Sequence, residues 1–206
     1  MLEDAGFEVA APALRGHGTR PEDLFGVRYE DWLADARAAW EALPEPKAAV
    51  GLSMGGLLAA WLAARGDARA LVALAPALGF AHPLSRFAPY LAALRPRTPA
   101  RSSILDPELR QKSANYRWFP TRAFVELKKL AERTPKVLPQ VRARALVVMA
   151  EGDRVVPPAA VRRYFDLLGS KDKCLWWLAG SGHDLLQDRE AERAARRVLK
   201  FLKEAA

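Results

Sequence analysis

The chain has one cysteine, Cys174, among its 206 residues. A single thiol excludes an intramolecular disulfide, and such sparse usage fits a reducing compartment, so a cytoplasmic location is expected. No apolar run approaches the ~20 residues needed to cross a bilayer as a helix, so no transmembrane segment is expected. The opening residues Met1-Leu2-Glu3-Asp4 are acidic, without the apolar core of a signal peptide. There is no internal repeat, no low-complexity tract and no recognised nucleic-acid module. That last absence bears on the formal charge of +8. Arginines are scattered over helix faces and loops, densest at Arg95, Arg97 and Arg101, while Arg193, Arg196 and Arg197 lie mostly on the wet face of a helical pattern. Solvated faces account for this charge better than a nucleic-acid partner does.

What is present is a globular composition, 50% hydrophobic and spread along the chain, of a length that suits one domain with an insertion. Met1 to Ala5 reads as the tail of a helix capped by Gly6. Phe7 to Ala11 alternates and predicts a strand, ended by Pro12. Tyr29 to Leu43 predicts a helix with Trp32, Leu33, Ala36, Ala39, Trp40 and Leu43 on one face, and Asp31, Asp35, Arg37 and Glu41 outward. Buried strands are predicted to end at Val50 and to span 70–75 and 144–150, with a fourth strand at 173–178. Helices are predicted at 54–65, 159–168 and 188–203. Strands alternating with helices predict an α/β fold with a mainly parallel sheet. Residues 79–140 break that rhythm with prolines, arginines, aromatics and short helical patterns. They are predicted to be an inserted cap on a core formed by 1–78 and 141–206.

Gly51-Leu52-Ser53-Met54-Gly55 lies between a strand and a helix. A G-x-S-x-G turn there lifts a serine hydroxyl above the sheet edge, its glycines relieving crowding, and aims the Met54 N–H where an oxyanion could form. The plainer alternative is Ser53 as a helix N-cap. A serine nucleophile needs a base, usually histidine, and the histidine needs an acid. Each type occurs behind a strand: Ser53, then Asp153, then His183. No metal and no cofactor are called for by this chemistry.

These residues carry a resemblance to the α/β hydrolases, in the carboxylesterase and monoglyceride-lipase group. Gly51-Leu52-Ser53-Met54-Gly55-Gly56 resembles that group's nucleophile turn, and Glu151-Gly152-Asp153-Arg154-Val155-Val156-Pro157 its acid loop. Ser181-Gly182-His183-Asp184, with Asp188 and Glu190, resembles its histidine loop, and Pro12 to Gly18 the loop after an early strand. The resemblance spans nearly the whole chain and is weakest in the cap. It implies Ser53 as nucleophile, His183 as base, Asp153 as acid and Met54 as oxyanion donor, acting on short acyl esters or monoacylglycerols. A non-catalytic α/β-hydrolase remnant that binds a small molecule or protein is the alternative. The group has further strands before the one expected at Phe7, including one whose loop supplies a second oxyanion N–H. The expectation is therefore a chain lacking its N-terminal strands, weak in catalysis and prone to self-association.

Other candidates have competing roles. Asp153 also suits a helix cap, but its context favours catalysis. Asp184 and Asp188 are rival acids close to His183 in sequence, and Asp188 suits an N-cap. His17 is expected to organise its own loop and His82 to be structural. Trp40 and Trp61 are assigned to the core. Tyr116, Trp118 and Phe119 in the cap are candidates to contact substrate.

Overall fold

The computed structural model describes residues 1–100 and 102–205. Arg101, of the basic patch noted above, lies outside the described residues. In chain order the principal elements begin with α1 (Tyr29–Ala42), β1 (Lys47–Leu52), α2 (Met54–Ala63) and β2 (Ala68–Leu74). Next come α3 (Ala88–Leu94), β3 (Arg97–Pro99), α4 (Pro107–Lys112), β4 (Trp118–Pro120) and α5 (Thr121–Arg133). The chain continues through β5 (Arg144–Ala150), α6 (Pro158–Leu167), β6 (Lys173–Leu178) and α7 (Ala191–Ala205). Among the described residues the main sheet has four parallel strands in the order β1-β2-β5-β6. Because all four run parallel, every strand ends on the same side, and the loops behind β1, β5 and β6 meet there.

The strands divide their side chains by alternation. Leu71, Ala73, Ala145, Val147 and Met149 enter one core with Trp32, Ala36 and Trp40 of α1, Leu57 and Ala60 of α2, and Val161 and Tyr164 of α6. Ala70, Val72, Leu74, Leu146, Val148 and Ala150 point the other way, against Ala194, Val198, Phe201 and Leu202 of α7. The result is an α/β layer architecture, with helices on both faces of a parallel sheet. β5 and β6 match the predicted spans: β5 is an apolar run buried on both faces, whereas β6, at one sheet edge, leaves Cys174 and Trp177 exposed. β1, at the other edge, leaves Val50 exposed where a buried strand end was expected. Among the described residues no helix is long and apolar enough to cross a membrane.

One predicted strand is absent. Residues 7–14 are irregular, and Val9 to Ala13 are exposed. Phe7 packs against the α7-side core instead. Alternation allows an extended chain, but a strand exists only when another strand accepts its hydrogen bonds. Upstream, a short 3-10 helix at Glu3–Ala5 ends on Gly6 at φ 87°, its N–H bonded to the Glu3 carbonyl. Asp31 and Asp35, placed outward by the α1 pattern, bind Arg15: Nη1 to Asp31 Oδ1 at 2.8 Å and Nε to Asp35 Oδ1 at 3.0 Å. Those ion pairs fix the Arg15–Gly18 loop against α1.

Candidate active site

β1 passes into α2 through Ser53, whose φ is 54° and ψ −114°. A β-carbon at positive φ is disfavoured, and such strain persists only where the surroundings over-determine it. Here the Ser53 N–H donates to Leu74 O at 2.8 Å, and its carbonyl accepts from Gly56 N at 3.1 Å and Ala77 N at 3.2 Å. A Cβ at Gly51 would overlap the Gly55 carbonyl, so glycine is needed there. Gly55 differs from the expectation of crowding, since its own Cβ would meet nothing within 4 Å. Ser53 occupies the N-cap position without making a side-chain cap. Its Oγ lies 2.8 Å from His183 Nε2 instead.

His183 Nδ1 lies 2.7 Å from Asp153 Oδ2. The other carboxylate oxygen, Oδ1, accepts from Val155 N at 2.7 Å and Val156 N at 2.9 Å, so the acid is aimed by its own loop. The Asp153 side chain is fully buried and the His183 side chain nearly so. A carboxylate at Nδ1 places the ring proton there and leaves Nε2 to accept from the serine hydroxyl. Met54 opens α2, and the first N–H groups of a helix have no intrahelical partner. The helix N-terminus therefore presents a donor and a positive dipole end beside Ser53.

The rival acids go elsewhere. Asp184 Oδ2 accepts from Ser103 Oγ at 3.1 Å and Asn115 Nδ2 at 3.3 Å. Asp188 is buried and accepts from Leu105 N at 2.7 Å, Gly182 N at 2.8 Å, Arg189 N at 2.9 Å and Asp106 N at 3.2 Å. Burial alone would raise its carboxyl, but these N–H groups hold it below the usual carboxylate range. Rather than N-capping the last helix, Asp188 ties the histidine loop to Leu105 and Asp106.

A cavity of about 390 Å³ opens above Ser53 and His183. Leu24, Trp32, Phe119, Ala123, Phe124 and Leu127 give it an apolar wall, and Ser102, Ser103, Asn115 and Asp184 a polar corner. Of the three predicted cap contacts, Tyr116 and Phe119 line it. The Tyr116 hydroxyl is committed to the backbone, donating to Gly16 O at 3.1 Å and accepting from Thr19 N at 3.0 Å. Trp118 does not line the cavity. Neighbours on a strand face opposite ways, and Trp118 packs against Phe25 and beneath the Arg97 guanidinium. His17 lines the cavity too, edge-on to Trp32, with Nδ1 3.3 Å from Arg15 O. Burial pushes its imidazole below the usual histidine range. His82 Nδ1 accepts from Leu84 N at 3.2 Å and caps a local turn. Ser103, Asn115 and Asp184 were not anticipated as pocket residues. Only Asp184 carried a signal, as a carboxylate next to the histidine.

The sequence pattern of the family described as serine aminopeptidase, S33, matches residues 1–190. A thermostable monoacylglycerol lipase from a Bacillus species is 27% identical over 96% of this chain and 80% of its own length. A carboxylesterase from Bacillus subtilis is 25% identical over 98% of this chain and 83% of its own. Among solved structures, a metagenome-derived lipolytic enzyme superposes with a TM-score of 0.90 at 28% identity, covering 98% of this chain and 84% of that one.

Proposed function

This chain belongs to the serine aminopeptidase family of α/β hydrolases, and on that premise we propose that it is a serine carboxylesterase working through an acyl-Ser53 intermediate. The observation that carries the proposal is the bridge made by His183, 2.8 Å from Ser53 Oγ and 2.7 Å from Asp153 Oδ2. In the proposed cycle His183 Nε2 takes the Ser53 proton as Oγ attacks the ester carbonyl carbon. The oxyanion forms at the Met54 N–H, where a preorganised donor stabilises charge that exists only in the transition state. The imidazolium, balanced by Asp153, then gives its proton to the departing alkoxide. Water enters, loses a proton to His183 and attacks the acyl carbon. The carboxylic acid leaves and Ser53 recovers its proton.

The cavity suggests the substrate class. Its apolar wall suits an acyl chain, and its polar corner beside His183 suits a hydroxylated alcohol. Short acyl esters and monoacylglycerols meet both requirements, and the monoacylglycerol lipase and carboxylesterase kinship agrees. In this proposal residues 79–140 act as a cap that closes the acyl pocket over a core formed by 1–78 and 141–206.

The test is labelling by a fluorophosphonate probe together with hydrolysis of p-nitrophenyl butyrate. Wild-type protein is expected to be labelled and active, and Ser53→Ala to be neither. Labelling that persists in Ser53→Ala, or a wild-type protein that is inert to both reagents, would overturn the proposal.

A further inference from the structure

Four large apolar side chains left in solvent lie within residues 84–94. Leu84, Phe87, Tyr90 and Leu94 are 52, 42, 75 and 82% exposed. Phe87, Tyr90 and Leu94 are spaced three and four apart, so they share one face of α3 and the turn leading into it. Ala88 is buried and Leu91 and Ala92 are half-buried on the side that packs against α5. The outer face is therefore apolar although the inner contacts are already made.

The same stretch contains no carboxylate, since Asp67 and Asp106 are consecutive acids in the sequence. Between them Arg86, Arg95 and Arg97 are exposed. The carboxylates of the adjoining α5 have partners of their own, Glu126 with Lys129 and Glu132 with Lys128. Arg86 lies over the Phe87 ring at 4.7 Å, which carries its cation along the apolar row.

We propose that this face docks on an anionic lipid surface. The Leu84–Leu94 row enters the acyl boundary while Arg86, Arg95 and Arg97 meet the phosphates. An exposed apolar stripe edged by arginines matches the lipid interface on both counts. A second copy would cover the stripe but oppose arginine to arginine. A nucleic acid would satisfy the arginines and leave the stripe in water. Docking here brings lipid close to the site, because α5 presents Ala123, Phe124 and Leu127 to the cavity. The Ala81 N–H also donates to the carbonyl of Val155, another cavity residue, at 2.9 Å. The proposal does not depend on esterase activity.

Co-sedimentation with extruded vesicles tests it, using phosphatidylcholine alone and an equimolar mixture with phosphatidylglycerol. Wild-type protein is expected to partition onto the mixed vesicles and much less onto the neutral ones. Tyr90→Asp with Leu94→Asp should lower partition about 10-fold or more while leaving the thermal melt unchanged, since both side chains are already in water. Arg86→Gln and Arg95→Gln should each lose about fivefold. Leu94→Trp should shift its emission to the blue on mixed vesicles only. Failure of wild-type protein to bind them, equal binding to both vesicle types, or unaltered binding by Tyr90→Asp/Leu94→Asp would overturn the proposal. Dimers in sedimentation velocity that dissolve in Leu94→Asp would assign the face to a second copy and also overturn it.

Discussion

The loops behind β1, β5 and β6 and the segment 79–140 border the same cavity but are held in different ways. The first group hangs from parallel strands, whose register shift between Lys47 and Ala48 lies at the far end from the site, and two of its residues are fixed by bonds to backbone groups, Ser53 on Leu74 and Asp153 on Val155 and Val156. The second is anchored by α5, whose Ala123, Leu130 and Ala131 enter the main core, but the short elements before it are held largely by side chains. Thr121 Oγ1 bonds the Arg95 carbonyl and meets Thr98 Oγ1, while Tyr116 clips the 16–19 loop. Sheet-hung loops give reaction geometry with little freedom, and side-chain clips give a wall whose composition can change without moving the reacting atoms. Substitutions on the sheet side should therefore abolish rate or folding, and those on the other side should redirect specificity.

The largest effect should separate the two acids nearest the histidine. Asp153→Asn keeps an oxygen for Val155 and Val156 but turns an amide N–H toward His183 Nδ1, forcing the wrong tautomer. A loss of about 10⁴ in kcat is expected on p-nitrophenyl butyrate. Asp184→Asn, facing Ser103 and Asn115, should stay within about threefold of wild type on this simple ester. Comparable losses in both variants would show that His183 is served by a different acid.

Next is the turn itself. Gly51→Ala drives a methyl into the Gly55 carbonyl, and Gly55→Ala places one in open space near the start of α2. The first should destabilise by about 3 kcal/mol or more and remove activity. The second should cost less than about 1 kcal/mol, or stabilise, because alanine favours helix. Urea unfolding midpoints check both, and a tolerated Gly51→Ala would mean that the turn is looser than described.

Asp188 joins the two regions, and its loss should come third. Asp188→Ala strands a buried donor on Gly182 and a half-buried one on Leu105, at a cost of about 2–3 kcal/mol. The folded carboxyl is depressed, so its contribution is complete above the unfolded value of about 3.9 and is lost as pH falls through the folded one. Between pH 7 and pH 3 wild type should therefore lose more stability than Asp188→Asn. Parallel slopes in urea melts would assign the acid sensitivity to other groups.

The same division decides what could be read from sequence. Strand 144–150 was legible because an uninterrupted apolar run marks a strand buried on both faces, and strand 173–178 because its apolar run is bounded by turn residues. The convergence of Ser53, Asp153 and His183 was legible because each lies in the connection behind a strand. Phe7–Ala11 misled because alternation is local and pairing is not. Asp188 was underread because Leu105 and Asp106 lie more than 80 residues away in the chain. The facing of Trp118 and Phe119 was illegible for a related reason. Three-residue strands carry too little pattern to fix which side is inward.

That pair supplies the smallest effect and the sharpest contrast. Phe119 opposes Thr98 in the β3–β4 ladder and faces the cavity, where it packs near Phe124. Trp118, its neighbour, faces Phe25 and Arg97. Phe119→Ala should enlarge the acyl side and shift preference between butyrate and decanoate p-nitrophenyl esters by about 1–2 kcal/mol, or roughly 5- to 30-fold in the ratio of kcat/KM. Trp118→Ala should leave that ratio within about twofold and lower stability by about 1 kcal/mol, through lost stacking with Phe25 and Arg97. If both substitutions shift the ratio equally, the wall responds as a flexible whole, and the separation of sheet-hung loops from the adjustable 79–140 segment fails. If only Trp118→Ala shifts it, β4 presents the opposite face to substrate. In that case the acyl chain runs between Phe25 and Trp118, outside the cavity above Ser53.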